Sequence, residues 1–270
     1  MRHLLLLFVF AVTCASAQQS SGEARPIADN SFFIEEAFNQ EEGVVQHLSG
    51  LMLTSSPNKE ISYTFTQEWP LDGQLHQLSY TLPLMIATPD HHSGLGDVLV
   101  HYRYQLAGAD RWAAIAPRLS VLLPTGSVQR GLGAGVVGFQ VNIPASKYLS
   151  NSLVAHANLG ITYHPYMKEE LVPGVQTSLT STSVNAGASL IWLASANLNL
   201  MLEYTSDFSA HRFTDGSVQR STESILSPGI RFALNLPGLQ IVPGIGVPVF
   251  ITRESSRTGL FFYLSFEHPF

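Results

Sequence analysis

The sequence predicts an all-β protein: a transmembrane, up-and-down antiparallel β-barrel of about twelve strands. Three observations carry this. Segments in which apolar and polar side chains strictly alternate recur from residue 44 onward. Only 13% of the chain is charged, about half of what a soluble domain shows, and the mean hydropathy is +0.15. Yet beyond the first 17 residues no apolar run approaches the roughly 18 residues of a membrane helix. Apolar residues that are abundant but always interrupted suit a closed sheet with lipid outside and polar groups within.

The N-terminus reads as an export signal. Arg2 and His3 precede the apolar run Leu4 to Val12, and Ala15-Ser16-Ala17 supplies a small-x-small cleavage site, so residues 1–17 are expected to be removed. Cys14 is the one cysteine and falls inside that segment, which leaves the mature chain without disulfide or thiolate chemistry. Residues 18–43 form a leader and N-terminal segment before a barrel spanning 44–270. Its first part, Gln18 to Asn30, is small and polar with Pro26, and reads as flexible. The second, FFIEEAFNQEEG at Phe32 to Gly43, fits either a short amphipathic helix or an N-terminal strand, in the barrel mouth or on its rim.

The strands are expected near 44–55, 60–69, 75–85, 95–106, 112–124, 133–143, 151–163, 183–193, 196–207, 222–234, 239–250 and 258–268. In DVLVHYRYQL, Val98, Val100, Tyr102, Tyr104 and Leu106 share one face, while Asp97, His101, Arg103 and Gln105 share the other. Near 197–207, Leu198, Leu200, Leu202 and Tyr204 oppose Asn197, Asn199, Glu203 and Asp207 in the same way. Most segments exceed the five or six residues usual in soluble sheets and match the nine to eleven of a tilted membrane strand. A secreted β-sandwich also alternates, but its strands are shorter and its surface more charged. Prolines 117, 228, 243 and 248 fall within or beside predicted strands, each removing a ladder donor. The odd-numbered connections are generally the longer ones, with 164–182 and 208–221 the longest, and are assigned to the cell exterior with both termini periplasmic. Aromatic residues at strand ends, Trp69, Trp112, Trp192, Tyr104 and Tyr163 among them, fit interfacial girdles. The chain closes on FFYLSFEHPF. An uncapped apolar strand invites association unless a partner covers it, so the last strand is expected to bond to the first, with Phe270 marking it for the barrel-assembly machinery.

The polar alternates are expected to line the lumen, with Glu68, Asp97, His101, Arg103, Arg118, His156, Glu203, Asp207 and Arg231 as the candidate site residues. Mixed charges in a narrow barrel either border a water path or pair into a network that blocks it. No catalytic set and no metal site is expected. No G-x-S-x-G elbow is present, Ser79 with His76 is an example of a candidate nucleophile-base pair, and the glycine-rich runs at 94–96 and 131–135 lack the helix and lysine of a phosphate cradle. The histidines His91-His92 lack a third ligand, and His47 and His76 are assigned to neighbouring strands with no metal site expected. No cofactor is implied. With 14 Lys and Arg against 20 Asp and Glu, for a net charge of −6, nucleic acid is not an expected partner; outer-membrane lipid and a small solute are.

Four segments, FFIEEAFNQEEGVVQH at 32–47, YTFTQEWPLDGQLHQLSYTLPL at 63–84, GLGDVLVHYRYQL with PRLSVLLPTGS at 94–106 and 117–127, and GLGAGVVGFQVNIP at 131–144, resemble bacterial outer-membrane transporters of the phenol-degradation meta-pathway type. The resemblance covers roughly half of the mature chain. It implies an outer-membrane barrel passing a small hydrophobic or aromatic solute; it supplies no catalytic residues. The alternative expectation is a non-conducting structural or adhesive barrel acting through its external loops.

Overall fold

The computed structural model describes residue 27 and residues 31–55, 59–87, 92–172 and 175–270. The export-signal assignment with Cys14, the leader except Ile27, and His91 lie outside the described residues.

Twelve long strands follow one another around a closed sheet. They are β1 (Val44–Thr54), β2 (Ile61–Leu71), β3 (His76–Ala87), β4 (Val98–Tyr104), β5 (Arg118–Leu123) and β6 (Gly138–Ser150). After them come β7 (Leu153–Val172), β8 (Val175–Ser195), β9 (Leu198–Phe213), β10 (Val218–Phe232), β11 (Leu239–Gly246, resuming at Val249–Ile251) and β12 (Ser256–Pro269). Each pairs antiparallel with the next, and β12 returns to β1, with Val44 opposite Pro269 and Thr54 opposite Gly259. The apolar C-terminal strand is thereby covered by β1 on one side and β11 on the other. Closure leaves no free edge, which lets a sheet lie in lipid without unpaired backbone groups. No helix among the described residues is long and apolar enough to cross a membrane.

Alternation turns the barrel inside out relative to a soluble protein. On β9, Leu202 is 51% exposed and its neighbour Glu203 only 1%; on β7, Leu159 is 56% exposed while Asn158 is buried. The outward set includes Val100, Tyr102, Leu119, Phe139, Ile143, Leu190, Ile230, Phe262 and Leu264. The inward set is Gln77, His101, Arg103, Ser120, Asn142, His156, Ser189, Asn199, Arg231 and Ser265, all buried. An apolar belt of this extent is stable only against hydrocarbon.

The structure corrects several boundaries. The segments 164–182 and 208–221, expected as long external loops, are mostly strand: β7 and β8 stay paired out to Val172 and Val175, through register shifts at Leu179/Ser181 and Val175/Gln176, and β9 with β10 as far as Arg212 and Val218. Once these ribbons pass the hydrocarbon layer their outer face no longer has to be apolar. The hydrophobic period then vanishes from the sequence although the ladder continues. Residues 133–137, expected to open β6, are loop, with Gly131 and Gly135 at left-handed φ values of 66° and 65°. β5 begins only after Pro117, and Pro248 interrupts β11, as the loss of a ladder N–H dictates. Pro228 and Pro243 are accommodated within β10 and β11.

Placing a charge on the outer face should cost what lipid exacts. Leu202→Arg, near the middle of the alternating apolar stretch 198–207 of β9, is expected to destabilise the barrel by about 2–4 kcal/mol in urea titrations of protein folded into phospholipid vesicles; an effect below about 1 kcal/mol would mean that this face does not meet hydrocarbon.

Candidate functional site

The lumen is defined by which side chains point inward, and it is occupied by the chain itself. Residues 31–43 form neither the helix nor the strand expected of them. They run as irregular chain along the inner wall and join β1 at the rim where both barrel termini lie, here called the terminal rim. Irregular backbone in a membrane barrel must find partners for its N–H and C=O groups. The polar alternates of successive strands provide them.

Ser31 Oγ lies 2.7 Å from Ser189 Oγ on β8. Glu203 Oε1 on β9 accepts the amides of Phe33 and Ile34 at 2.8 and 3.3 Å. Asn158 on β7 grips Glu35 at both ends, its Oδ1 accepting the amide at 2.8 Å and its Nδ2 donating to the carbonyl at 2.9 Å. Ser146 Oγ on β6 accepts Ala37 N–H at 2.7 Å and is hydrogen-bonded to His156 Nδ1 at 2.6 Å. Just past β4, Gln105 accepts from Asn39 N–H and donates to Ala37 O. On β3, Gln77 Oε1 accepts Gln40 N–H at 2.7 Å, while its Nε2 donates to Glu68 at 2.8 Å. Glu68 thus orients the glutamine without touching the segment.

Arg103 is the hub. Its Nε donates to Asn39 Oδ1 (3.0 Å), Nη1 to Glu36 O (3.2 Å), and Nη2 to Phe38 O (2.6 Å) and Gln77 Oε1 (3.1 Å), with Glu68 at 3.9 Å to balance the charge. Arg118 sits directly opposite on β5, where two guanidinium groups would repel. It is held by Glu35 of the segment at 2.8 Å and by Gln140 at 2.6 Å. Four charges on four elements therefore interlock the wall and the inserted chain.

Apolar anchors fix the depth. The Phe32 ring lies against a bay of inward glycines: a Cβ added at Gly229, Gly244 or Gly246 would meet it at 2.5, 2.8 and 2.9 Å. Ile34 is seated the same way on Gly187, at 2.5 Å. Phe32 also packs on Phe261 and Tyr263 of β12, and Phe33 on Phe261, each pair with ring centroids at 5.3 Å.

Between the segment and the strands β1 to β4 remains a cavity of about 260 Å³. Hydroxyls of Thr64, Thr66, Ser79 and Thr81 line one wall, the aromatic rings of Phe33 and Phe261 another, and Glu35, Glu68, Arg103 and Arg118 the floor. His101 is wired into the hydroxyl wall, with Nδ1 2.7 Å from Ser120 Oγ, Nε2 3.0 Å from Thr81 Oγ1, and Thr81 2.8 Å from Thr66.

Of the nine candidate residues, Glu68, His101, Arg103 and Arg118 border this cavity. Glu203 holds the far end of the inserted segment. His156 and Arg231 share a second, small cavity with Glu36 and Ile27. Asp207 is apart from these, accepting from the hydroxyls of Ser183 and Ser209. Asp97 precedes β4 and clasps two loops, its Oδ1 accepting Gly126 N–H at 2.9 Å and its Oδ2 Ala134 N–H at 2.7 Å, while Thr125 Oγ1 donates to Gly96 O at 2.8 Å. The GLGD, PTGS and GLGAG stretches are thereby the two sides of one tie. Ser79 and His76 are not brought together: Ser79 faces the lumen, and His76 faces outward against Tyr102 at 2.7 Å. Nor do His47 and His76 meet, because β2 lies between their strands. Sequence reasoning missed the inserted segment as the principal lumen occupant, and with it Gln77, Ser146 and Ser189. The readable signal was the pair Gly244 and Gly246 on the inward register of β11, where glycine marks a close approach.

No family model matches this chain, and no curated protein is significantly similar to it. Among solved structures it is similar to an outer-membrane channel from Pseudomonas putida F1, 14% identical with a TM-score of 0.63, over 87% of this chain and 98% of that one. It is also similar to the NanC porin, 9% identical with a TM-score of 0.50, over 84% of this chain and all of that one. At these identities the likeness is one of fold. That fold is the barrel of bacterial outer-membrane channels and porins.

The glycine bay makes a two-part prediction. Gly229→Val should drive Phe32 off the wall and raise amide hydrogen exchange across residues 31–40 at least tenfold, and adding Phe32→Ala should relieve the clash and restore part of the protection. Unchanged exchange in Gly229→Val would show that Phe32 does not dock there.

Proposed function

We propose that this chain is an outer-membrane channel for a small solute, held closed by residues 31–43 as a displaceable plug. The observation that carries the reading is the polar circuit between that segment and the inner wall, next to a cavity that plug removal would enlarge. Displacement requires that the cost of the broken bonds be largely offset. A vacated lumen admits water to both sides of every broken hydrogen bond, so each costs about 0.5–1.5 kcal/mol, or 1.5–3 kcal/mol where a charge takes part, and not the 4–6 kcal/mol of a dry site. Re-exposing Phe32 and Ile34 adds about 1.5–3 kcal/mol each. The bonds and anchors together amount to roughly 15–35 kcal/mol, which is offset by the backbone entropy that some thirteen released residues regain, about 1–2 kcal/mol each; only the remainder falls to a ligand or partner that prefers the open state.

In this reading Glu68, His101, Arg103, Arg118, His156, Glu203 and Arg231 border the solute path, Asp207 lines its outer reach, and Asp97 shapes the far mouth. The terminal rim faces the periplasm, export follows removal of residues 1–17, and β12 with Phe270 engages the barrel-assembly machinery. The aromatic wall formed by Phe33, Phe261 and Tyr263 supports a hydrophobic or aromatic solute, the class implied by the resemblance to meta-pathway transporters. A non-conducting barrel is the second reading, and the density of bonds converging on Arg103 favours it.

Planar-bilayer recording separates the two. The wild-type barrel should show small or rare openings, Arg103→Ala more frequent ones, and deletion of residues 31–41 a sustained level several-fold larger. If the deletion variant folds, by its heat-dependent migration in gels, and stays silent, the barrel is not a channel; if it conducts no more than wild type, the segment is not its plug.

A further inference from the structure

The closing seam brings together two metal-ligating side chains far apart in sequence. His47 of β1 and His268 of β12 are diagonal neighbours on the outer face, because Val45 lies opposite His268 and His47 opposite Phe266. Their Nε2 atoms stand 3.2 Å apart. His268 Nδ1 is 2.9 Å from Pro269 O. A carbonyl accepts only from a protonated nitrogen, so Nδ1 carries the hydrogen and the Nε2 lone pair is directed at His47. That is the usual disposition of a metal-bound histidine, whose second ring nitrogen donates to a backbone carbonyl and fixes the tautomer. The His47 ring is oriented by stacking on Phe266, with centroids at 4.4 Å and planes 17° apart.

Two imidazole nitrogens each about 2.0–2.1 Å from a tetrahedral zinc ion stand about 3.3 Å from one another. The observed spacing is already that bite. In the absence of an ion the same spacing accommodates one N–H···N bond from His47 to His268, so the site is preformed and its alternative state is satisfied.

We propose that His47 and His268 form a site for a borderline divalent cation of the zinc, nickel or copper type, bridging β1 and β12 at the terminal rim. Imidazole ligands suit these ions. Among the described residues no group of three His, Cys, Asp or Glu side chains could hold a metal, so the coordination is two imidazoles completed by water. The ion ties the first strand to the last and stabilises the closed barrel. This site is independent of solute passage.

The test uses the purified full-length barrel in detergent micelles at pH 7.5, stripped of metal and titrated with zinc chloride by calorimetry, with thermal unfolding followed in parallel. One equivalent is expected to bind and to raise the unfolding temperature. His47→Asn and His268→Asn should each weaken binding at least tenfold and remove the shift, whereas the double variant His91→Asn/His92→Asn should keep both. The absence of binding to wild type overturns the site without recourse to variants, and so does zinc binding that survives both single substitutions.

Discussion

The structure depends on mutual satisfaction between two sets of polar groups that cannot be left unpaired. The inner wall carries carboxylates, guanidinium groups, amides and hydroxyls at high density, and a lumen this narrow cannot hydrate them all while a chain runs through it. The inserted segment carries a backbone with no secondary structure of its own. Each set answers the other: Asn158 takes both polar groups of Glu35, Glu203 takes two consecutive amides, and Arg103 gathers carbonyls that would otherwise be stranded. Buried polar networks of this kind are stable only when nearly complete, which explains why so much of the wall chemistry is directed at one stretch of thirteen or so residues.

That constraint shapes the wall itself. Bulky inward side chains on β8, β10 and β11 would leave no room for Phe32 and Ile34, and glycine stands at the four positions where a Cβ would collide with them. Across β2 and β3 the wall keeps threonine and serine hydroxyls around open space, with Gln77 supplying its hydrogen bond to the segment. The lumen is accordingly asymmetric, filled and tightly bonded on one side and hydroxyl-lined on the other. Arg103 and Arg118 face one another across adjacent strands, and each is neutralised by a glutamate, one from the wall and one from the inserted segment. Withdrawal of that segment would therefore remove Glu35 from Arg118 and change the electrostatics of the cavity floor as well as its width.

The outer surface obeys a separate rule. Between the rims, alternate side chains are apolar because they meet lipid; beyond the far rim the ribbons β7–β8 and β9–β10 continue on hydrogen bonding alone. The two loops expected at 164–182 and 208–221 were misread for this reason. A strand is recognisable in sequence by the contrast between its two environments, and where both faces meet water the contrast is gone while the ladder persists. Asp97 illustrates the converse. Its place on the polar register of DVLVHYRYQL is correct, but it lies one residue outside the strand, where its carboxylate binds loop amides and not a neighbour on the wall.

By itself the sequence determined the barrel: twelve alternating segments, their approximate places, the closure of the last strand on the first, and the division of each strand into a greasy and a polar face. These follow from local periodicity, because a period of two residues is written into every strand that separates lipid from polar groups. Only the tertiary structure decided what fills the barrel. The route of residues 31–43 depends on contacts between residues 35 to 170 positions apart, such as Gln74 with Asn39 and Glu203 with Phe33, and no local pattern records which wall group an irregular backbone will find. The pairing of His47 with His268 is likewise a product of closure, since two rings 221 residues apart become neighbours only when the first strand meets the last.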